Sequence, residues 1–249
     1  MALRLTFGLT ACATPPQRDA AFEPTEVVDL GALVTKDLGP RIWGKGLLQQ
    51  MNWTGENSVE LLRWSLPVDG GTISGSNAYY TLFNHGGPHV DAPIHVGAGG
   101  GIDTYPLESF AGPVSVVDVS SYPPGRSIPK SAFDQRVRAG EIVLMFSGYR
   151  PPATDTAMPE VRTLTQEAAE FLATLPVRAI GTDALSVEAF DDLALPLIHQ
   201  SFLTRGIPIY EQLQSLDKLL SKSRMFFVGV PVNIKDGDGM IVRPVVYVY

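Results

Sequence analysis

The sequence predicts a single mixed α/β domain with a central β-sheet or barrel-like core flanked by helices. Short β-type runs alternate with helical segments, which is the pattern of mixed α/β domains. The chain has 249 residues, of which 45% are hydrophobic and 18% charged, and this is enough material for one large core. Glycine and proline cluster at 97–101, 122–129 and 150–159 without a shift in the surrounding composition, so these stretches are predicted as loops and not as linkers.

Seven segments have the β-branched and aromatic content that is typical of strands. They cover residues 26–30, 77–83, 114–119, 141–146, 178–182, 225–230 and 241–248. The Asp236-Gly-Asp-Gly239 stretch between the last two is predicted as the turn of a terminal hairpin, because β-type residues flank it. A calcium loop would need further carboxylates and a glutamate at its twelfth position.

Two helices are predicted. In the first, over residues 164–175, apolar side chains recur at helical spacing, and Thr163 with Gln166 forms a capping box. We expect this helix to lie on the sheet. The second covers residues 196–204 and places His199 in its first turn, and a glycine and a proline follow its end.

Composition and charge exclude several classes of function. The chain has 19 Lys+Arg against 26 Asp+Glu, with a net charge of -7, and no basic patch that could neutralise a phosphate backbone, so nucleic acid is not an expected partner. No apolar stretch approaches the roughly 20 residues of a membrane-spanning helix. Cys12 is the only cysteine, which excludes an internal disulfide and a thiolate-rich zinc cluster.

We expect one domain over residues 23–249, preceded by a flexible segment over residues 1–22. In this segment the Leu-Thr-Ala-Cys12 sequence resembles the end of a bacterial lipoprotein signal, although only about eight residues precede it, fewer than a secretory signal has. The alternative is a frayed N-terminus with an incidental cysteine. The expected compartment is therefore the bacterial cytoplasm, or the periplasm if Cys12 carries lipid.

Three of the four histidines lie in the stretch His85-Gly-Gly-Pro-His89-Val-Asp91-Ala-Pro-Ile-His95. The glycines and prolines disfavour a helix, and in an extended chain these four odd-numbered side chains would share one face. Imidazole is the commonest transition-metal ligand. A lone buried histidine is more often a hydrogen-bonded core residue, but burying so many ionisable groups without a metal would cost several kcal/mol. The stretch therefore predicts a metal site.

The pattern His-x-Gly-x-His-x-Asp-x-Pro-x-His at 85–95 resembles the signature of the metal-dependent cyclase-like hydrolases, the family of bacterial kynurenine formamidase and isatin hydrolase. The resemblance continues through 103–120 and 180–188. It extends to His199, which is followed twelve residues later by Glu211. The resemblance implies the cyclase-like swivelling β/β/α fold and at least a homodimer.

The resemblance also implies a set of metal ligands and one catalytic histidine. The implied ligands are His85, His89, Asp91, His199 and Glu211. The implied catalytic residue is His95, which would carry a proton to the leaving nitrogen. Nitrogen and oxygen ligands suit either zinc or manganese, as one or two ions per subunit. Such an ion lowers the pKa of a bound water and polarises a carbonyl.

Two departures from the family pattern concern the placement of the substrate more than metal binding. Pro88 stands where the family usually has threonine, which removes a hydroxyl and a backbone N–H from the edge of the site. Asp183-Ala-Leu-Ser186 replaces the common Asp-Thr-Pro-Ser, so we expect a different pocket wall.

Aromatic residues are candidates for lining a pocket for an aromatic substrate, although such residues are more often core or interface. The candidates are Trp43, Trp53, Trp64, Phe83, Tyr149 and Phe202. Residues 41–54 lack clear periodicity and are interpreted as an arm over the active site or across a subunit boundary. Residues 97–101 are expected to form a flexible loop beside the metal site.

The leading hypothesis is a metal-dependent hydrolase of the C–N bond in a small aromatic amide, either an N-formylkynurenine-type arylformamide or a cyclic amide of the isatin type. One alternative is a cyclase or dehydratase that acts on a polyketide-like substrate with the same metal. Another is a non-catalytic metal-binding module at the cell envelope. The histidine at position 95 argues against the last, because a binding module needs no proton carrier.

Overall fold

The structure is a computed structural model that describes residues 23–151, 159–189 and 197–249. Cys12 and the lipoprotein-like sequence lie outside the described residues, so the expectations for residues 1–22 stay predictions. The predicted loop at 150–159 and the start of the predicted helix at 196 also fall partly outside them. In the part of the chain that the structure describes, no helix is long and apolar enough to cross a membrane.

The described residues form short helices and strands around one large sheet. The strands are β1 (Glu26–Asp29), β2 (Ser58–Val68), β3 (Gly71–Thr81), β4 (His89–Asp91), β5 (Ala111–Asp118), β6 (Gly125–Ile128), β7 (Ile142–Phe146), β8 (Arg162–Leu164), β9 (Ala179–Thr182), β10 (Ile209–Glu211), β11 (Met225–Val228), β12 (Gly239–Ile241) and β13 (Val245–Val248). The helices are α1 (Leu38–Trp43), α2 (Lys45–Gln50), α3 (Gln166–Thr174) and α4 (Leu197–Leu203).

The large sheet has nine strands in the order β1-β13-β11-β5-β7-β9-β10-β4-β12 and curls into a half-barrel. The central strands β5, β7, β9 and β10 are parallel to one another, and the strands on both flanks pair antiparallel. This confirms the predicted mixed α/β class with a barrel-like core. The antiparallel flank β10-β4-β12 carries the histidine-rich stretch.

Strand β7 shows why the centre of the sheet reads as a continuous apolar run. Ile142 and Leu144 pack on one side, in the cluster that also holds side chains of β1, β11 and β13. Val143 and Met145 pack on the other side, in the cluster under α3 and α4. A strand that is buried on both faces needs apolar residues at every position, and parallel strands covered by helices have this property.

Helix α3 lies on the sheet as predicted, but its capping box is wrong. The helix begins one residue after Thr165, whose side-chain oxygen accepts a hydrogen bond from the Ala168 N–H at 3.2 Å. Thr163 belongs to β8 instead, and its hydroxyl donates to the carbonyl of Val187. The sheet pairing of β8 with β6 therefore determines where the helix starts.

The predicted terminal hairpin is correct in its strand pairing, because β11 and β13 pair antiparallel, but its turn is wrong. Residues 241–248 do not form one strand, because β12 pairs with β4, whereas β13 pairs with β11 and β1. Pro244 lies between the two short strands and has no N–H for a ladder hydrogen bond. The Asp236-Gly-Asp-Gly239 stretch is therefore a crossover loop that brings Asp238 to the edge of the sheet that contains β4.

Strands β2 and β3 form a long two-stranded ribbon, of which the sequence predicts only the end of β3. Each strand has eleven residues, and they pair in register from Ser58 with Thr81 to Val68 with Gly71. Nearly every residue is exposed on both faces of the ribbon. Alternation of apolar and polar residues is weak here, because neither face packs on the core of the same chain.

Residues 41–54 do not project from the body of the chain as an arm, and contacts of this segment across a subunit boundary stay a prediction. These residues form most of α1 and α2, which pack on the body of the protein through Trp43, Leu47 and Leu48. Each helix has only six residues, which is less than two turns. Helices this short do not repeat the apolar spacing often enough for a helical period to be visible in the sequence.

Candidate metal centre

The centre is built on β4, whose three residues are all buried. His89 and Asp91 are two residues apart on this strand, so their side chains lie on the same face. The neighbouring strand β10 places Glu211 directly opposite His89. On the other side, β12 places Gly239 opposite Asp91, and a Cβ atom at Gly239 would lie 2.7 Å from the Cε1 atom of His85. The missing side chain leaves room for the imidazole.

His85 and His95 approach the strand from the turns at its two ends. The prediction that residues 85–95 form one extended segment is therefore wrong, because β4 ends at Asp91 and Pro93 begins a 3₁₀ turn that contains His95. The rings nevertheless converge: the His85 and His89 centroids are 4.7 Å apart, and the His85 and His95 rings stack at 4.4 Å. Pairing with two neighbouring strands limits the extended part to three residues.

His199 enters from the first turn of α4, and Glu188 holds it there. The Oε2 atom of Glu188 accepts hydrogen bonds from the backbone N–H groups of Ile198 at 2.9 Å and His199 at 3.3 Å. It also lies 3.5 Å from the Nδ1 atom of His199. The opposite ring nitrogen, Nε2, lies 3.4 Å from Glu211 Oε1 and 3.8 Å from Asp91 Oδ2. The ring therefore spans the distance between Glu188 and the centre.

The structure brings all six predicted site residues together around the Asp91 carboxylate. Two groups of three have ligand atoms within 4.8 Å of one another, and both contain Asp91. The first group is His85, Asp91 and His95, and the second is His89, Asp91 and Glu211. The Asp91 carboxylate is thus common to both groups and would be available to a cation held by either.

Three buried polar atoms of the centre have no hydrogen-bond partner: His89 Nε2 and both carboxylate oxygens of Asp91. Imidazole nitrogens of His85 and His89 lie 3.0 and 3.2 Å from Asp91 Oδ1, but not in hydrogen-bond geometry. Leaving such groups unsatisfied is costly in a protein interior. A set of imidazole and carboxylate ligands with orphaned atoms that face one another fits a divalent cation.

The charges of the centre also favour a bound cation. Burial lowers the pKa of His85, but contacts with the carboxylates of Asp238 and Asp91 outweigh burial and raise the pKa to about 10. For His199, burial is likewise outweighed by Glu188 and Glu211, which raise its pKa to about 10. Without a metal, the carboxylates therefore hold protons on these imidazoles, and a metal ion would replace those protons.

Burial alone would raise the pKa of Asp91. The imidazole of His89 and the contact with His85 overcome this effect and hold the pKa well below its ordinary value. Asp91 is thus an ionised carboxylate at the centre of the cluster, which is the state that a metal ligand requires.

Sequence reasoning missed three polar residues around the centre. Ser186 donates a hydrogen bond to Glu211 Oε1 at 3.1 Å, and Glu188 holds His199. Both lie in the segment 180–188 that carries the family resemblance, which was the available signal. Asp238 lies 3.2 Å from His85 Nε2 through its Oδ2 atom, and its acidic loop was predicted to be a hairpin turn.

Three of the six aromatic candidates support the centre from behind. Trp43, Trp53 and Phe83 pack with ring centroids 5.7–6.0 Å apart. The indole N–H of Trp43 donates to the carbonyl of His85 at 2.8 Å. This cluster holds the backbone at His85, so a role in lining a substrate pocket is not needed to explain it.

The other three aromatic candidates lie apart from one another. Phe202 is part of the core under α4, and Trp64 is exposed on the ribbon. Tyr149 lines a cavity of about 730 Å³ together with Asp183 and Gln212. None of the six predicted site residues lines this cavity, and the Gln212 side chain donates to the carbonyl of His85 at 3.0 Å.

The loop at 97–101 lies beside the centre, as predicted. Gly97 and Gly99 have positive φ values of 71° and 59°, and Gly97 ends the turn that holds His95. The backbone N–H of Ile94 donates to the carbonyl of Gly100 at 3.1 Å, so the loop folds back on this turn.

Known proteins match this chain both in sequence and in fold. Kynurenine formamidase from Salinibacter ruber is 31% identical over 195 residues, which is 78% of this chain and 89% of the relative. Kynurenine formamidase from Bacillus mycoides is 28% identical over 199 residues, 78% of this chain and 90% of the relative. Both relatives are bacterial.

Two solved structures share the fold. Isatin hydrolase bound to the product analogue thioisatinate superposes with a TM-score of 0.66 at 23% identity. The match covers 90% of this chain and 92% of the isatin hydrolase chain. Isatin hydrolase A from Labrenzia aggregata, bound to benzyl benzoate, gives a TM-score of 0.63 at 22% identity, with 90% and 93% covered. These likenesses concern the fold.

The Cyclase family matches residues 21–189, and this range contains the whole histidine-rich stretch at 85–95. The match covers more than half of the chain, and the Salinibacter ruber relative aligns over most of it. The resemblance inferred from the sequence is confirmed, and the chain belongs to the Cyclase family.

Proposed function

We propose that this protein is a metal-dependent hydrolase that cleaves the C–N bond of a small aromatic amide, with an N-formylkynurenine-type arylformamide as the first substrate class and an isatin-type cyclic amide as the second. The observation that carries the proposal is the Asp91 carboxylate, which is buried, has no hydrogen-bond partner and is shared by two groups of ligand atoms. The names of the relatives at 28–31% identity support the amide substrate.

The residues that would hold the metal are those that converge on Asp91. His85, His89 and Glu211 offer ligand atoms next to it, and His199 reaches the same carboxylate from α4. The set contains nitrogen and oxygen ligands without a thiolate, so zinc and manganese both fit, as one ion or two. A bound divalent cation supplies a Lewis acid that polarises a carbonyl and lowers the pKa of water.

We assign proton transfer to His95 because of its exposure. Its side chain is 32% exposed, whereas those of His85, His89 and His199 are at most 10% exposed. His95 is therefore the imidazole that an entering substrate can reach. A neutral imidazole at that position accepts a proton from an attacking water and returns it to the departing nitrogen.

The chemistry of C–N cleavage gives a direct test. The purified protein is analysed for bound metals, and hydrolysis of N-formylkynurenine and of isatin is followed by absorbance before and after chelation. We expect turnover of at least one substrate, loss of turnover with the metal, and recovery on adding back zinc or manganese. Turnover of neither substrate by the metal-loaded protein would refute the proposal, and so would turnover that chelation leaves unchanged.

We also propose that the protein is a homodimer in which the β2–β3 ribbon contacts a second copy. Eleven residues per strand give a ribbon about 35 Å long. One face carries exposed Leu62, Trp64, Leu66 and, from β3, Ile73. A two-stranded hairpin is at best marginally stable in water, so a ribbon of this length with an apolar face needs a covering surface.

A second copy of this chain is the partner that we propose to cover the apolar face of the ribbon, because the chain has another exposed apolar surface that the ribbon could contact. Val230, Val232 and Ile234 alternate along the segment after β11 and are all exposed, so the same chain offers a further apolar strip outside the ribbon. In a two-fold symmetric dimer, the ribbon of each copy would cover the apolar strip of the other.

The dimer proposal is tested by light scattering on the wild type and on the double variant Trp64→Ser, Leu66→Ser. We expect the wild type to be a dimer and the double variant to be a monomer. A monomeric wild type would refute the dimer proposal.

A further inference from the structure

The loop between β11 and β12 carries a carboxylate to the two histidines at the mouth of the centre. Asp238 Oδ2 lies 3.2 Å from His85 Nε2 and 3.7 Å from His95 Nδ1. Its other oxygen, Oδ1, accepts a hydrogen bond from the side-chain amide of Asn84 at 2.7 Å. The Asn84 amide also lies 3.3 Å from the carbonyl of Gly239, so it connects the carboxylate to the start of β12.

The backbone of this loop is held in place next to the centre. The carbonyl of Asp238 accepts from the Ala92 N–H at 2.9 Å, and the carbonyl of Gly237 accepts from Ile102 N–H at 2.8 Å. The Asp236 N–H donates to the side chain of Asp103 at 3.0 Å. Asp238 is therefore positioned from both sides of the histidine-rich stretch, although its side chain is half exposed.

We propose that Asp238 is a positioning residue that sets which ring nitrogen of His85 and of His95 carries the proton. The proposal rests on the proposed metal-dependent function. A carboxylate oxygen only accepts hydrogen bonds, so Asp238 Oδ2 selects the Nε2–H form of His85 and the Nδ1–H form of His95.

The selected tautomer serves a different purpose in each ring: it frees a nitrogen of His85 for the metal and a nitrogen of His95 for proton transfer. In His85 it leaves the Nδ1 lone pair at 3.0 Å from Asp91 Oδ1, on the side of the ligand cluster. A carboxylate that accepts the second N–H of a metal-bound histidine orients the ring and raises its basicity. In His95 it leaves Nε2 without a proton, ready to accept one from the reacting groups.

The 3.7 Å distance between Asp238 and His95 is slightly longer than a hydrogen bond. Catalytic hydrogen bonds are often long before substrate binds and shorten in the complex. The side-chain amide of Asn84 donates a hydrogen bond to Asp238 Oδ1, and this bond keeps Oδ2 directed at the two imidazole rings. The position of the carboxylate therefore does not depend on the contact with His95.

The test compares Asp238→Asn and Asp238→Ala with a matched control. The control is Asp236→Asn, because Asp236 lies in the same loop, its side chain is exposed and 3.7 Å from Lys235 Nζ, and asparagine tolerates its φ of 55°. Each variant is loaded with zinc. The measurements are zinc affinity by competition with a chelator, the ¹⁵N imidazole spectrum that reports the tautomer, and kcat and KM with N-formylkynurenine.

For Asp238→Ala we expect zinc affinity and kcat to fall about 10- to 100-fold, with KM within about twofold of wild type and with the Nδ1–H signal of His95 lost. Asp238→Asn keeps one acceptor oxygen and should restore part of the loss. The control should match wild type in all measurements.

Two outcomes would overturn the proposal. Unchanged tautomers and zinc affinity in Asp238→Ala would show that the carboxylate positions neither ring. Complete loss of zinc in Asp238→Asn, as for a ligand variant, would show that Asp238 binds the metal directly. The tautomer and the zinc affinity are measured without substrate, so failure of the proposed hydrolase function would be recognised separately, as absence of turnover in the wild type.

Discussion

Strand β4 and the β2–β3 ribbon differ in length, in burial and in what holds them. β4 has three residues, all buried, and is paired on one side with β10 and on the other with β12. The ribbon strands have eleven residues each, are exposed and form a two-stranded sheet of their own within the described ranges. The candidate metal centre lies on the short strand because β10 places Glu211 beside it and Gly239 of β12 leaves room for the imidazole of His85. The long ribbon instead leaves apolar side chains exposed.

The two regions should therefore respond differently to the same perturbations. A change at β4 should affect the metal and the reaction, because the Asp91 carboxylate is buried there without a hydrogen-bond partner. A change in the ribbon should affect association and leave the metal in place.

The largest effect is expected from Asp91→Asn. It removes the carboxylate that both ligand groups share, so bound metal and measurable turnover should both be lost. Metal content and turnover are compared with those of Asp134→Asn, an exposed carboxylate on the surface. Retention of a full complement of metal in Asp91→Asn would contradict the assignment of β4 as the centre.

The second prediction concerns metal removal. An ion at a hundredfold excess over its Kd stabilises the folded state by about 2.7 kcal/mol, so chelation should lower Tm by about 5–10 °C. Hydrogen exchange should accelerate in β4 and β10 and stay unchanged in β2 and β3. Equal acceleration in both regions would show that the ribbon depends on the metal centre.

The third prediction is the pH dependence of the metal-free protein. His85 and His199 have folded-state pKa values raised from 6.5 to about 10. The stability from these protonated rings is fully present below pH 6.5 and is lost as the pH rises toward 10. Tm of the metal-free protein should therefore fall between pH 6.5 and 9.5. Over the same range zinc affinity should rise, because zinc competes with these protons.

A matched variant makes this prediction specific. Gln cannot be protonated, so His199→Gln should show a smaller decrease of Tm over this pH range. A Tm that stays constant or rises with pH in the metal-free wild type would mean that the carboxylates do not hold protons on the imidazoles.

The smallest effect is expected from Gly70→Ala in the turn of the ribbon. Gly70 has a φ of 85°, where a Cβ atom costs about 1 kcal/mol. This should speed hydrogen exchange in β2 and β3, while zinc affinity and the main Tm stay within error of wild type. A loss of zinc affinity would show that the ribbon and the centre form one cooperative unit.

The sequence predicted much of the large sheet. The predicted strands at 114–119, 141–146 and 178–182 correspond to β5, β7 and β9, because buried parallel strands require continuous β-branched and aliphatic residues. The run at 241–248 was misread as one strand. Its residue types fit any strand, and nothing local indicates that Pro244 separates two pieces that pair with different neighbours.

The sequence predicted which residues form the site better than it predicted the backbone geometry that brings them together. The histidine spacing and the family resemblance indicated the six residues that converge on Asp91. The extended geometry assumed for 85–95 was wrong, since only β4 is extended and turns bring in the outer two histidines.

By itself, the sequence determined the chemistry of this protein: a set of imidazoles and carboxylates concentrated in a chain with one cysteine, which belongs to the Cyclase family. Only the tertiary structure decided the role of Asp238. Its carboxylate lies more than 140 positions from His95, and only the crossover from β11 to β12 brings the two together. Side-chain type is a local property of the chain, whereas a distance between two side chains depends on every strand that packs between them.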